Sequence, residues 1–284
     1  MNSSEAKNKL YFPSIVGFSL GDLQEMISSI DDFYKEWEII KNDKTTGQPK
    51  TYLDGTIKKR FIRPSLRQLN TLQSRIKSRI LEKVQLPENI HGGIKKKSNI
   101  TNAKAHQGKK YVLATDLQEF YPSVKPLLIK ETFIELGFNP QFAFFISRFT
   151  TWKGQLPQGA PSSTHIANIV FLKIDFLLID FCKRHNITYT RYVDDLTFSS
   201  QQDFHFLIDE ILELIKSSGF RISRRKTKYA KNQTITGIKV FNHKIDVPEK
   251  IIQKINAESL LQDNRQKYLT KYRERVLKTN LRKK

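Results

Sequence analysis

Two aspartates, Asp194 and Asp195, sit side by side in the stretch YTRYVDDLTFSS, and a third, Asp116, closes the apolar run YVLATD. Adjacent carboxylates repel each other and resist burial unless positive charge compensates them. Both stretches are otherwise good strand sequence, rich in aromatic and β-branched residues. Neighbours in an ideal strand point to opposite faces, so Asp194 and Asp195 can share a site only from a tight turn. Tyr192-Val193 and Leu196-Thr197-Phe198 flank such a turn as strand sequence, and Asp194 is the carboxylate it would project into a cleft. If the run ending at Asp116 pairs with these strands, three carboxylates meet at one sheet edge. Hard divalent cations, which take oxygen ligands, make such a cluster tolerable. Two Mg²⁺ ions held by carboxylates clamp the attacking and leaving oxygens of phosphoryl transfer. A further Asp pair, Asp31-Asp32 in SSIDDFYKEW, is the internal control: it reads as a helix opening with Ser28 or Ser29 as caps, so a pair alone carries no chemistry.

The composition narrows what surrounds the carboxylates. The chain has 284 residues, with 49 Lys plus Arg against 28 Asp plus Glu, a net charge of +21. A protein this basic is expected to bind a polyanion, nucleic acid above all. No run of about 18 apolar residues exists, so no membrane span is expected, and the opening MNSSEAKNKLYF lacks the apolar stretch of a secretory signal. The single cysteine, Cys182, excludes an intrachain disulfide and a multi-cysteine zinc site.

The elements that must position the carboxylates can be read in order. SLGDLQEMISSI predicts a helix capped by Ser19, with Leu23, Met26, Ile27 and Ile30 inward. A turn-rich basic stretch follows and predicts a β-hairpin. The next helix keeps Leu66, Leu69, Leu72, Ile76, Ile80 and Val84 on one face. Its other face carries Arg67, Arg75 and Arg79, expected with the hairpin to face phosphates. After the strand ending at Asp116 come helices at about residues 125–136 and 140–149, then a loop passing into one long apolar helix. The strand–turn–strand is followed by an amphipathic helix ended by Gly219 and by further short strands. The tail from Val247 reads as helical. Its segment RQKYLTKYRERVLKTNLRKK, with Lys271 and Arg275, is expected to grip structured RNA, Tyr268 and Tyr272 stacking on bases. This alternation predicts an α+β fold, a mainly antiparallel sheet backed by helices.

These motifs resemble a known family. YVDD between strand segments resembles the catalytic hairpin of reverse transcriptases, and ATDLQEFYPSV their first metal-binding motif. LPQGAPSSTHIANIVF resembles the motif that contacts template and nucleotide, and GFRISRRKTKYA a later one ending in a Lys-Thr pair. The four follow the family's order from Asp116 to Lys226. TNAKAH matches an Asn-Ala-x-x-His element of bacterial retron reverse transcriptases, and TITGIKV resembles their Val-Thr-Gly element with Ile235 in the Val place. The resemblance covers about Arg60 to Asp246.

The resemblance implies a right-hand polymerase: N-terminal region and fingers over 1–105, with fingers continuing around 125–165, palm over 106–246, and a short basic thumb over 247–284. It implies that Asp116, Asp194 and Asp195 hold two Mg²⁺ ions, helped by the Leu117 carbonyl. Tyr121 would lie under the sugar and exclude a ribose 2′-hydroxyl. Gln158 and Gly159 would flank the incoming base, Arg60 and Arg63 would grip the triphosphate, and Lys226 would protonate or neutralise the departing pyrophosphate. Asn102 would contact nucleic acid, and His106 would be a structural or RNA-contacting residue. The implied activity is RNA-directed DNA synthesis from deoxynucleoside triphosphates on a cognate structured noncoding RNA, in a bacterial cytoplasm, in antiphage defence and with possible effector proteins. Two rivals stay open: protein-primed or untemplated DNA synthesis, and an RNA-binding scaffold with vestigial catalysis.

Overall fold

A computed structural model of the chain describes residues 7–42, 47–52, 54–231, 234–258 and 267–280. The tip of the expected hairpin at 43–46 and the tail residues 259–266 and 281–284 lie outside them. The chain divides into two compact units: Met1–Gln85 with Tyr121–Val170, and Leu86–Phe120 with Phe171–Lys284. It therefore passes from one unit to the other at 85/86, 120/121 and 170/171. Residues 86–105, grouped with the fingers from sequence, belong to the second unit.

In the first unit the helix Leu20–Ser28 starts as its sequence dictates. Ser19 accepts from the Asp22 amide and Asp22 from the Ser19 amide, a closed capping box over Leu23 and Met26, which are buried. β1 (Trp37–Ile40) and β2 (Lys59–Ile62) form the expected antiparallel pair, with Ile39 opposite Arg60. Helix Arg67–Arg79 buries Leu69, Leu72 and Ile76. It also buries Gln73, whose amide donates to Tyr34 Oη at 2.9 Å and to the Phe149 carbonyl at 2.7 Å. A buried amide left unpaired costs about 1–3 kcal/mol, so these two bonds fix how the helix sits. Helices Pro126–Glu135 and Pro140–Thr150 fall where the spacing put them. The second packs Phe142, Phe145 and Phe149 around Phe12, with ring centroids 5.3, 5.1 and 6.1 Å away.

The expected long apolar helix is two helices, Ser163–Val170 and Leu172–Arg184. Periodicity runs through the junction, but the chain changes unit there. Phe171 packs its ring against Phe120 at 5.7 Å and Phe220 at 5.1 Å. An apolar pattern does not reveal a change of packing partner, so the break was not legible.

The second unit carries β3 (Tyr111–Asp116), β4 (Thr188–Tyr192), β5 (Asp195–Ser200) and β6 (Lys228–Lys231), ordered β4-β5-β3-β6 and antiparallel throughout. A smaller antiparallel sheet has β7 (Thr234–Ile235), β8 (Ile238–Val240) and β9 (Ile245–Asp246). The terminal helices Glu249–Glu258 and Tyr268–Lys278 pack on a core of Val112, Ile235, Ile238, Val240, Ile245 and Val276. Arg273 clamps Asp246 with two bonds of 3.0 Å. The α+β class with antiparallel sheets is what the alternation of elements predicts.

Two residues expected on nucleic acid belong to this core instead. Asn102 and His106 are wholly buried. The His106 ring bonds Ser199 Oγ through Nδ1 at 2.6 Å and Thr190 Oγ1 through Nε2 at 2.7 Å, tying the helix Asn99–Lys104 region to β4 and β5. No phosphate or base can reach them. Burial, with the charges of His91 and Lys109 adding to it, pulls the His106 imidazole down to about 3. An unfolded histidine titrates near about 6.5. Between those values the unfolded chain binds a proton that the folded chain refuses, so this contribution is full above about pH 6.5 and is lost as pH falls. The loss at pH 5 is about 2 kcal/mol. Urea unfolding at pH 7 and pH 5 should show it, and His106→Asn should shrink the difference, the remainder coming largely from His91, which burial also holds down, to about 4.

Candidate catalytic centre

β3 and β5 pair in a register that sets Asp116 directly opposite Asp195. β4 and β5 pair with Tyr192 opposite the same Asp195. Val193 and Asp194 are thus the two-residue loop of a hairpin whose first strand residue beyond the loop is Asp195. The sheet edge expected from sequence therefore exists. Asp195 stands across from Asp116, and Asp194, the carboxylate expected to project into a cleft, is half-buried in the loop beside them.

The loop is held in an unusual conformation. Val193 has φ +60°, a left-handed backbone that a β-branched residue rarely adopts and that costs on the order of 1–3 kcal/mol. Both loop carbonyls are tied: the Val193 carbonyl accepts from Arg191 Nη1 at 3.0 Å, and the Asp194 carbonyl from the Leu117 amide at 2.9 Å. Leu117 and Ile222 form an isolated antiparallel bridge, and the Ser223 amide donates to the Asp116 carbonyl at 2.8 Å. That bridge sets the one-turn helix Arg224–Lys226 beside β3, and Lys226 Nζ reaches Asp116 Oδ2 at 2.5 Å. Thr227 Oγ1 meets Thr115 Oγ1 at 2.8 Å just behind. The Lys-Thr pair singled out in the sequence is therefore docked on the Asp116 strand.

The charges in this corner are unbalanced. Asp116 is buried and Asp195 half-buried. The Asp195 carboxyl is pushed up to about 7 by burial, then by the charges of Asp194 and Asp116, against the pull of Lys226. Three carboxylates and one ammonium thus stand together with negative charge in excess. Among the described residues no three His, Cys, Asp or Glu side chains are already drawn into a metal cage. The donor set, carboxylate oxygens with no sulfur or imidazole, fits a hard divalent cation, and that cation would offset both the burial and the repulsion that lift Asp195.

The first unit holds the other expected contacts. The Gln158 carbonyl accepts from the Arg63 amide at 2.7 Å, which brings the LPQGAPSS loop against the exit of β2. Gly159 has φ +111°, and a Cβ there would stand 3.2 Å from Ile62 Cγ2. Gly159→Ala should therefore lower stability by about 1–3 kcal/mol, read as a drop in melting temperature, since an L side chain is strained in that backbone region. Arg60 is exposed on β2. Arg63 is not a loose guanidinium: it pairs with Glu36 and lies over the Phe61 and Trp152 rings at 5.2 and 5.6 Å. Tyr121 is half-buried, its hydroxyl 3.0 Å from Thr164 Oγ1.

Of the basic residues expected on phosphates, Arg67, Lys271 and Arg275 are exposed. Arg75 is committed elsewhere: Nη1 donates to the Val16 and Gly17 carbonyls, both at 2.9 Å, and the guanidinium lies 5.0 Å over the Phe18 ring. Arg79 caps the same turn through the Ile15 carbonyl at 2.9 Å while staying exposed. The end of the helix Phe12–Val16 presents unpaired carbonyls, and cations satisfy them. Tyr272, expected to stack on bases, instead accepts from Asn99 Nδ2 at 2.6 Å, whereas Tyr268 is exposed.

Sequence reasoning missed Arg191, Asp175 and Gly92. Arg191 and Asp175 are both fully buried and paired, Nε to Oδ1 at 2.9 Å and Nη2 to Oδ2 at 2.6 Å. The available signal was an aspartate on the apolar face of LKIDFLLIDF and an arginine at an inward strand position.

Comparison with known proteins adds to this geometry. A family model described as "Reverse transcriptase (RNA-dependent DNA polymerase)" matches residues 41–269. The chain is similar to the Retron Ec86 reverse transcriptase of Escherichia coli, 30% identical over 197 residues, covering 68% of this chain and 62% of that protein. It is similar to the Retron Se72 reverse transcriptase of Salmonella heidelberg, 29% identical over 191 residues, covering 67% and 47%. The Retron Mx162 reverse transcriptase of Myxococcus xanthus is 30% identical over 240 residues, covering 73% and 47%. The chain thus spans about half to three-fifths of the length of these relatives. No helix among the described residues is long and apolar enough to cross a membrane.

Proposed function

Because this chain belongs to the reverse transcriptase family, we propose that it is an RNA-directed DNA polymerase of the retron type. It would extend a primer with deoxynucleoside triphosphates on a cognate structured RNA, and its basic surface would carry that RNA and the DNA product. The right-hand arrangement of fingers, palm and short thumb, and a role in antiphage defence, belong to the same proposal. The observation that carries it is the cross-strand pair of Asp116 and Asp195 with Lys226 bonded to Asp116.

Asp116, Asp194 and Asp195 are the residues that would hold divalent cations, Mg²⁺ by preference, with the Leu117 carbonyl as a further oxygen. Bound there, the cations would supply positive charge to the attacking and leaving oxygens. The chain's own contribution is placement. The register brings two carboxylates together, and the Asp194 carbonyl bond to the Leu117 amide locks the loop to β3. Lys226 keeps an ammonium at the same corner, where a departing pyrophosphate needs a proton or a counter-charge. Tyr121 would sit under the sugar and select deoxyribose.

The test is extension of a DNA primer on an RNA template by wild type and Asp194→Asn, with deoxy- or ribonucleotides. Wild type should extend with deoxynucleotides alone. Asp194→Asn should lose extension while binding RNA as before. A wild type that binds RNA but never extends would support the scaffold reading instead, and untemplated product sequence would support the rival chemistry.

A further inference from the structure

The turn that carries Asp194 is bent against its own sequence, since valine at φ +60° is strained. Such a conformation persists only where the surroundings over-determine it, and here Arg191 and Gly92 both press on it. Arg191 Nη1 holds the Val193 carbonyl. Arg191 is itself fixed from every side: its guanidinium forks onto Asp175, lies 4.8 Å over the Phe171 ring, and is wholly buried. Tyr189 Oη donates to the same Asp175 Oδ1 at 2.8 Å. The Arg191 main chain is equally engaged, its amide donating to the Asn89 carbonyl at 2.9 Å and its carbonyl accepting from the His91 amide at 2.8 Å. That pairing lays Gly92 on the turn: a Cβ there would stand 2.5 Å from both Val193 Cγ2 and Val193 N.

A buried ion pair is weak evidence for a gain in stability, because apolar residues of similar shape often serve as well. Its geometry is informative in another way. The one guanidinium nitrogen not spent on Asp175 is spent on the loop carbonyl, one residue before the carboxylates. We propose that Asp175 and Arg191 are positioning residues of the catalytic turn, with Gly92 as the floor against which Val193 rests. Together they set where Asp194 and Asp195 stand relative to Asp116. This rests on the polymerase reading above, since the reaction to be positioned is the one proposed there.

The experiment compares full-length wild type, Arg191→Lys, Gly92→Ala and Ile211→Ala. Lysine keeps the charge but cannot fork onto Asp175 and reach Val193 at once. Alanine at 92 pushes on the turn without touching the ion pair. Ile211 is fully buried in the helix Ile208–Lys216 and serves as a control for lost stability alone. Four quantities are read: melting temperature, kcat and KM for deoxynucleotide on a primed RNA template, the Kd for that duplex, and Mn²⁺ affinity by electron paramagnetic resonance with no nucleotide present. Arg191→Lys and Gly92→Ala should each lower kcat about 10–100-fold and weaken Mn²⁺ about 10-fold, the range seen when groups behind a metal ligand are changed. KM and the duplex Kd should stay within about 2-fold of wild type, as expected when binding surfaces are untouched. Ile211→Ala should lose melting temperature and keep the other three.

Wild-type kcat and Mn²⁺ affinity in Arg191→Lys, once melting temperature is matched by Ile211→Ala, would overturn the proposal. Should Arg191→Lys fail to fold, Gly92→Ala decides, and wild-type kcat and Mn²⁺ affinity there overturn it. If wild type itself extends no primer, the polymerase reading falls while the Mn²⁺ affinities still judge the clamp.

Discussion

Asp116→Asn should reduce primer extension by at least about 10³-fold, the several kcal/mol of charge stabilisation that a carboxylate-held cation supplies. The substitution keeps shape and volume and removes only charge. The fold should survive it, because the Asp116 backbone is held by pairing with Asp195 and by the Ser223 amide. The duplex Kd should therefore stay within about 2-fold, and the loss should fall in kcat, the pattern of an interaction made only in the transition state. Lys226, bonded to Asp116 Oδ2, offers a companion measurement. Lys226→Gln should cost about 10²-fold, in the range of general acid catalysis. Lys226→Arg separates its two possible services: arginine restores the charge but gives up no proton near neutral pH. Recovery in Lys226→Arg assigns neutralisation, and continued loss assigns proton donation. Single-turnover incorporation with saturating deoxynucleotide is the assay. An Asp116→Asn protein that retains a tenth of wild-type kcat would remove this corner from the chemistry.

The largest effect on stability should come from Asp175→Leu, at about 3–5 kcal/mol, because it strands the Arg191 charge in the interior. Asp175 is fully buried and receives Arg191 Nε, Arg191 Nη2 and Tyr189 Oη. Burial alone would weaken the Arg191 charge, and Asp175 more than offsets it, so the guanidinium is held above its ordinary range. Tyr189 is pushed well above the usual tyrosine range, by burial first and by the Asp175 charge next. The double variant Asp175→Leu/Arg191→Met should regain most of the loss, since matched apolar replacement of a buried pair is often neutral. Urea unfolding of the wild type, the two single variants and the double variant gives the coupling energy directly. A loss under about 1 kcal/mol in Asp175→Leu would mean that water reaches the pair.

Much of the centre was legible before any coordinates. The run YVLATD ends as a strand at Asp116, and YTRYVDDLTFSS folds as strand, turn and strand. Hydrophobic alternation and turn residues suffice for that, and the register then puts Asp116 and Asp195 together. What escaped has a common cause: pattern reports which residues prefer burial, and is silent on which polar residues will be buried because a partner waits. Asn102 looked like a contact for RNA and His106 like either a contact for RNA or a structural residue; both are core groups bonded to threonine and serine. Arg75 looked like a phosphate ligand and serves the carbonyls of Val16 and Gly17. Arg191 passed as strand sequence, although its partner Asp175 lies in the preceding helix, 16 residues earlier. The special backbone at Val193 was invisible for another reason, since valine is a poor signal for a left-handed residue.

The chain's threefold passage between its units, at 85/86, 120/121 and 170/171, bears on how the protein can be made and dissected. Neither unit is a continuous stretch, so no single truncation isolates one whole. On the ribosome the first unit cannot close until residue 170 has emerged, by which time β3 is already out and waiting for β5. Nascent Asp116 therefore spends part of synthesis on an unpaired strand edge, the condition under which strands find wrong partners. Faster elongation or a bound chaperone over residues 111–200 should therefore raise soluble yield by shortening or covering that exposure, and split versions of the protein should work best with the cut at a crossing point.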